Sequence, residues 1–222
     1  WLHANMLTLN GKKMAKSTGN NILPDKMFSG ENNVFKKAFS PMVVRFFMLQ
    51  AHYRSIVDIS EIALEASEKG FYRLVDGIKT LDNLVPSSIT SEFDLIAWKE
   101  KCYSAMNDDF NSPLLIGYLF DAVKYINATA NNKQEISGED LKELKQIMNG
   151  FFNDVLGLKS DQKSMKLSEH IQLQGTLDLL SKIRDKARNS KDFETSDFIR
   201  DNLLKLNIQI NDAPKGSSFK IK

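Results

Sequence analysis

The chain has 222 residues, 42% of them hydrophobic and 26% charged, which is ordinary for a globular protein with one large core or two smaller ones. Its net charge of +2 is too small to mark a nucleic-acid binder by itself, and no apolar run reaches the ~20 residues of a membrane span. A single cysteine, Cys102, excludes an internal disulfide and fits a reduced, cytoplasmic compartment.

Residues 1–11 alternate apolar and polar and end in Asn10-Gly11, which predicts a strand edge followed by a turn. Residues 12–33 are rich in Lys, Asn, Ser and Gly and read as a mobile loop. Helices are expected from there on. Ser40-Pro41 places a cap before a first-turn proline, for a helix through about Ala51. Ser60 caps the next, whose Leu64, Phe71, Leu74, Ile78, Leu81 and Val85 share a face. Asp94 opens a third helix through Trp98, Cys102 and Met106. Ser112-Pro113 opens a fourth, with Ile116, Leu119, Phe120, Val123 and Ile126 inward. Ser137 to Asp140 resembles a capping box with Asp in the usual Glu place. It leads a fifth helix whose apolar side is Leu141, Leu144, Ile147, Met148, Phe151, Phe152 and Val155. Such helices joined by short loops make an antiparallel bundle.

Gly157 closes that run, and the polar, Lys/Ser-rich stretch 158–170 reads as a linker. A helix near 171–189 and another from Asp192 to Leu206 follow, with Asn207 at a cap position. Ile208-Gln209-Ile210 and Phe219-Lys220-Ile221 alternate around Pro214-Lys215-Gly216, which predicts a small hairpin. The fold class is mainly α, with a small α+β end. The expected divisions are 1–58, 59–157, the linker 158–170, and 171–222.

Cys102 lies beside Tyr103 and near Met106 and reads as a small buried apolar residue, not a nucleophile. His3, His52 and His170 have no zinc-ligand spacing with it. No metal ligand set is expected in this chain.

The sharpest chemical signal is Lys13-Met14-Ala15-Lys16-Ser17, between Gly11 and Gly19-Asn20. Two lysines three apart on a Gly-flanked loop can wrap a polyphosphate and follow its charge as pyrophosphate leaves. A bare K-x-x-K also fits a solvated basic loop. The full string is similar to the KMSKS signature of class I aminoacyl-tRNA synthetases, with Ala15 for the first serine. That change keeps both charges and removes one hydroxyl that would steady the loop. His52-Tyr53-Arg54-Ser55, Asp108-Asp109-Phe110-Asn111-Ser112-Pro113, Arg45-Phe46-Phe47 and Lys191-Asp192-Phe193 stand in an order that resembles cysteinyl-tRNA synthetases over nearly the whole chain. Ser112 stands where that family has Thr. His52 and Arg54 are expected to tie the catalytic face to the bundle through ring and guanidinium hydrogen bonds.

The resemblance implies that 1–58 carry the signature loop at the edge of a catalytic core. It makes 59–157 a DALR-like bundle and 171–222 an anticodon-binding domain. It implies ATP with Mg²⁺, cysteine and tRNA(Cys) as ligands, no membrane, and a zinc ion whose ligands lie outside this chain. Lys16 is the first candidate for stabilising the leaving phosphates and Lys13 the second, the two being the candidate catalytic and ATP-binding residues. With no nucleotide-binding sheet or zinc ligands of its own, and a start at Trp1, the chain reads as an excised C-terminal piece, inactive alone.

Lys and Arg outnumber Asp and Glu by ten to seven from Ile171 onward. Single-stranded bases are read by stacking and by edge hydrogen bonds, so carboxylates beside arginines and an aromatic suit RNA. The resemblance matches the anticodon-facing positions to Arg188, Phe193, Asp197, Arg200 and Asp212, with Phe193 where Trp is common. Asp197 with Arg200 also reads as a plain i,i+3 helix pair. Three other readings stay open. One is a related ligase that attaches cysteine to a sugar amine, which has no need of 171–222. The second is a stand-alone RNA-binding helical module, against which stand the start at Trp1 and the orphaned signature loop. The third is a purely structural helix bundle, which leaves the Lys13–Ser17 loop unexplained.

Overall fold

A computed structural model describes the backbone of every residue except 88–90, 161, 207, 214, 215 and 222. It describes the side chains except at those positions and at 162–172, 174, 209–213 and 216–221. The chain forms two compact units, Trp1–Ser160 and Asp161–Lys222.

The first unit begins with a three-stranded sheet in the order β2-β1-β3. Strand β1 (Leu7–Leu9) turns through Asn10 and Gly11 into antiparallel β2 (Lys12–Lys13) and pairs in parallel with β3 (Val57–Ile59). Asn10 and Gly11 have φ of 52° and 74°. A two-residue hairpin turn with both centres positive favours Asn-Gly, so the turn follows from the sequence. The loop expected over 12–33 is largely structured instead. It contains β2, a 3₁₀ turn (Lys16–Thr18) and helix α1 (Pro24–Ser29), which Met27 anchors at 4% exposure. Its polar composition hides that anchor.

Helix α2 (Pro41–Leu49) leads into the bundle of α3 (Glu61–Asp82), α4 (Leu95–Asn107), α5 (Ser112–Ala130) and α6 (Gly138–Asn149). A π-helical turn, Gly150–Val155, prolongs α6. Helix α3 packs against α2, α5 and α6, and α4 against α5 and α6, all within the first compact unit. The expected caps are in place: Ser40 accepts from the Met42 amide, Ser60 from Ala63 and Asp94 from Ala97. Two others differ. Asn111, not Ser112, caps α5 by accepting from the Leu114 amide, and the Ser112 hydroxyl donates to the Leu49 carbonyl at 2.8 Å. At α6, Ser137 Oγ accepts the Asp140 amide, but Asp140 does not reach back to the Ser137 amide. Its carboxylate accepts from the hydroxyls of Ser137 and Ser91, and Ser91 Oγ takes the Ser137 amide. Those two hydroxyls, Ser91 first, hold the Asp140 carboxyl below the usual range.

The expected apolar faces are buried, apart from their ends. Leu64, Phe71, Leu74 and Leu81 are fully enclosed, whereas Val85 lies past the helix end at 83% exposure and Val155 is also exposed. Phe46, Phe71 and Phe152 form the central aromatic group, with ring centroids 5.8 and 6.4 Å apart. Each fully buried phenylalanine contributes about 1.5–3 kcal/mol. A Cβ on Gly77 would come within 2.6 Å of Val123, so the close α3–α5 contact requires glycine there. Gly157 (φ 60°) ends the prolonged α6, and the Arg45 guanidinium fills the space its Cβ would take, donating to the Leu156 carbonyl at 2.9 Å.

The second unit is α7 (Gln162–Asn189), α8 (Phe193–Lys205) and an antiparallel hairpin of β4 (Ile208–Ala213) and β5 (Gly216–Ile221). Its core is Leu177, Leu203 and Ile208, flanked by Leu180 and Ile199. The stretch expected as a linker over 158–170 is helical from Gln162, because its Gln, Lys, Met, Leu and Glu residues are good helix formers despite their polarity. Asn207, and Pro214 and Lys215 of the expected turn, lie outside the described residues.

Candidate functional site

The Lys13–Ser17 string leaves the sheet at β2. Lys13 pairs through its backbone with Thr8, and Lys16 opens the 3₁₀ turn that Gly19 closes in a left-handed conformation. Both lysines are exposed, and neither forms an ion pair among the described residues. Ala15 is a backbone element: its amide donates to the Asn20 carbonyl at 3.0 Å, and its carbonyl accepts from Thr18 Oγ1 at 3.0 Å.

Two side chains that sequence reasoning missed hold this loop. The Asn20 amide group donates to the carbonyls of Lys13 (3.1 Å), Lys12 (3.2 Å) and, at longer range, Leu9 (3.4 Å). Asp58, on β3, accepts from Thr8 Oγ1 at 2.6 Å and from the Gly11 amide at 2.7 Å. The Thr8 hydroxyl, then the Gly11 amide, pull the Asp58 carboxyl below its ordinary range. The signal for Asn20 was its place beside Gly19; Asp58 gave none, since an acid on a half-exposed strand is ordinary.

The expected tie from His52 and Arg54 is present, and Asp109 is its centre. Asp109 accepts from the Tyr53 hydroxyl at 2.6 Å and pairs with Arg54 Nε at 2.7 Å, while His52 Nε2 lies 3.1 Å from the Asp109 carbonyl oxygen. The Tyr53 hydrogen bond is the main cause holding the Asp109 carboxyl below its usual range, with Arg54 adding to it. Asp109 and Phe110 both take positive φ (52° and 55°), which reverses the chain between α4 and α5. On the other side, Asn5 donates from its amide to the Tyr53 carbonyl and from its side chain to the Arg54 carbonyl. The segment leading into β1 is thereby tied to the α4–α5 junction.

In the second unit, Arg188 and Phe193 flank one turn. The Lys191 amide donates to the Arg188 carbonyl, and Asp192 caps α8 through the Thr195 amide. Phe193 is 62% exposed at the start of α8. Asp197 and Arg200 form the i,i+3 pair at 3.1 Å, and Arg200 also pairs with Asp201 at 3.1 Å, a partner that sequence reasoning missed. Asp212 lies on β4 opposite Ser217, and its side chain lies outside the described residues. Elsewhere, burial pushes the Cys102 thiol up to about 12, which suits an inert core residue. Among the described residues no cluster of His, Cys, Asp or Glu could hold a metal, and no helix is long and apolar enough to cross a membrane.

A lysine-bearing loop on a sheet edge, tied to a helix bundle, has counterparts among known proteins. Residues 1–69 match the tRNA synthetases class I (C) catalytic domain and residues 101–160 match the DALR domain. More narrowly, the chain is homologous over its whole length to cysteine–tRNA ligases. It is 44% identical over 221 residues to those of Parabacteroides distasonis and Bacteroides fragilis. Over 226 residues it is 35% identical to that of Chlorobaculum tepidum. These alignments take in all of this chain but only 44–45% of each relative, so the chain spans a little under half their length.

Proposed function

We propose that this chain is the C-terminal part of a cysteine–tRNA ligase, supplying the loop that handles pyrophosphate and the regions that hold tRNA(Cys). The whole enzyme joins the cysteine carboxylate to the α-phosphate of ATP, releases pyrophosphate, and then transfers the cysteinyl group to the tRNA 3′ end in the cytoplasm. The observation that carries this reading is the pair of exposed cations, Lys13 and Lys16, with no ion pair among the described residues, on a loop whose backbone is fixed at both ends. Lys16 stabilises the charge that develops on the leaving phosphates and Lys13 assists, because preorganised cations act where charge appears in the transition state. Mg²⁺ belongs with the ATP phosphates. Zinc does not fit the described residues, which offer no cluster of His, Cys, Asp or Glu to hold it and whose one thiol, Cys102, is buried; its ligands would lie outside this chain. Arg188, Phe193, Asp197, Arg200 and Asp212 are assigned to the anticodon.

The test is cysteine-dependent ATP–pyrophosphate exchange. A protein carrying the rest of the relatives' length is expected to exchange with cysteine, and the 222-residue chain alone is expected to show none. Exchange by the isolated chain would overturn the reading, as would a complete protein that exchanges equally with other amino acids.

A further inference from the structure

We infer that Asn20 and Asp58 are positioning residues for the Lys13–Lys16 loop, an inference that rests on the ligase reading above. The loop hangs between two polar anchors. At its upstream end, Asp58 reaches from β3 to the Gly11 amide and the Thr8 hydroxyl, so the hairpin turn is fixed to the sheet. At its downstream end, Asn20 folds back on the strand that bears Lys13. One side-chain nitrogen serves the Lys12 and Lys13 carbonyls and lies 3.4 Å from that of Leu9, while the Asn20 carbonyl receives the Ala15 amide. The residues between close on themselves through Thr18 Oγ1 to the Ala15 carbonyl and the Gly19 amide to the Lys16 carbonyl.

This arrangement accounts for Ala15. A serine there would offer a hydroxyl to steady the loop. Here Thr18 and Asn20 satisfy Ala15's own carbonyl and amide, so the loop keeps its shape with no side-chain oxygen at position 15. Asparagine suits position 20 because its nitrogen carries two donors and only donors can face a row of carbonyls. An aspartate would set a carboxylate against the same oxygens. Asp58 needs only acceptors, so asparagine can replace it in part and alanine cannot.

The consequence is kinetic. A cation displaced by an ångström from a developing charge loses much of its effect, on the order of 10²-fold in rate. Neither Asn20 nor Asp58 is assigned a contact with substrate. Their loss lowers the rate of adenylate formation and leaves cysteine binding alone.

The experiment has two arms. In the complete ligase, Asn20→Ala and Asp58→Ala are expected to slow single-turnover adenylate formation by roughly 10–100-fold, with the KM for cysteine within about 2-fold of the parent. Asn20→Asp is expected to be at least as slow as Asn20→Ala, and Asp58→Asn to recover most of the rate. Asn83→Ala, which removes a comparable side-chain bond to the Lys79 carbonyl in the bundle, is expected to change nothing. In the 222-residue chain, Asn20→Ala is expected to speed hydrogen exchange at the Ala15 and Gly19 amides without changing α3 or α5. Unchanged exchange at those amides would overturn the anchoring, whatever the activity. Faster exchange with an unchanged adenylation rate would overturn the positioning role. A parent ligase with no cysteine-dependent exchange would sink the ligase reading instead, leaving the amide data to decide the anchoring.

Discussion

The loop of the first unit and the α7–α8 face of the second present their charged groups in opposite ways. Among the described residues, Lys13 and Lys16 have no ion-pair partner, and they stand on a segment whose backbone is pinned by Asp58, Asn20 and Thr18. Arg200 stands on an ordinary helix and is paired on both sides, with Asp197 and Asp201. The first arrangement fixes the main chain and leaves the cations free to meet a ligand. The second leaves the side chains engaged until a ligand displaces a partner. Chemistry on departing phosphates gains from the former, because geometry must be set before charge develops. Recognition of bases by stacking and edge hydrogen bonds tolerates the latter, because both signs of charge take part.

The cores beneath these faces differ too, and core substitutions should separate them by the largest effect. The first unit rests on Phe46, Phe71 and Phe152, whereas the second has Leu177, Leu203 and Ile208. Phe71→Ala is expected to destabilise the first unit by about 3–5 kcal/mol, lost packing plus the cavity left behind. Trp98 reports on it, being buried at 4% with its indole nitrogen donating to the Tyr118 carbonyl, while Trp1 is fully exposed. Urea unfolding followed by tryptophan fluorescence should show the drop for Phe71→Ala and no comparable drop for Leu203→Ala. A shared loss would mean that the units unfold together and that the contrast between their cores has no energetic meaning.

Next in size is the loop itself. In the complete ligase, Lys16→Ala is expected to slow adenylation by roughly 10²–10³-fold, the scale for one preorganised transition-state contact. Lys13→Ala should also slow it, cysteine binding should hold, and Ala15→Ser should be nearly silent. Single-turnover adenylate formation measures all four. An unchanged rate for Lys16→Ala would make this loop a solvated basic stretch and erase its contrast with α8.

Much of this was legible beforehand, where the cause is local or periodic. Ser40, Ser60 and Asp94 announce helix starts because a side-chain oxygen beside a free amide is a short-range event. The apolar faces of α3 and α6 follow from spacing. What escaped depends on distance along the chain. Asp109 meets His52, Tyr53 and Arg54 across more than fifty residues, so the tie was expected from one side and its partner was not named. Asn20 disappears into a run of Lys, Asn, Ser and Gly because the three carbonyls it faces line up only once β1 and β2 have paired. The start of α7 was missed for the converse reason: polarity suggested a linker where helix propensity decided.

The anticodon assignments give a smaller effect. Arg188→Ala and Asp212→Ala are each expected to cost about 1–3 kcal/mol of discrimination between wild-type and anticodon-substituted tRNA, the range for one lost base contact. Adenylation, which needs no tRNA, should be intact. Two variants that discriminate like the parent would make Arg188 and Asp212 structural, even with the ligase activity established.

The smallest expected effect is the most specific to how α8 holds its charges. Asp197 and Arg200 are roughly half-exposed at 57% and 49%, so water screens their attraction. Asp197→Ala also leaves Arg200 paired with Asp201. The helix should therefore lose no more than about 0.2–0.5 kcal/mol, measurable by circular dichroism during thermal unfolding of the 222-residue chain. If Asp197 reads a base, the same variant should blur anticodon discrimination far more than it softens the helix. A loss of stability well above that range, with discrimination intact, would show that the pair holds α8 together. Arg200 would then be fixed in place for structure, and the second unit would present its charges much as the first unit holds its backbone.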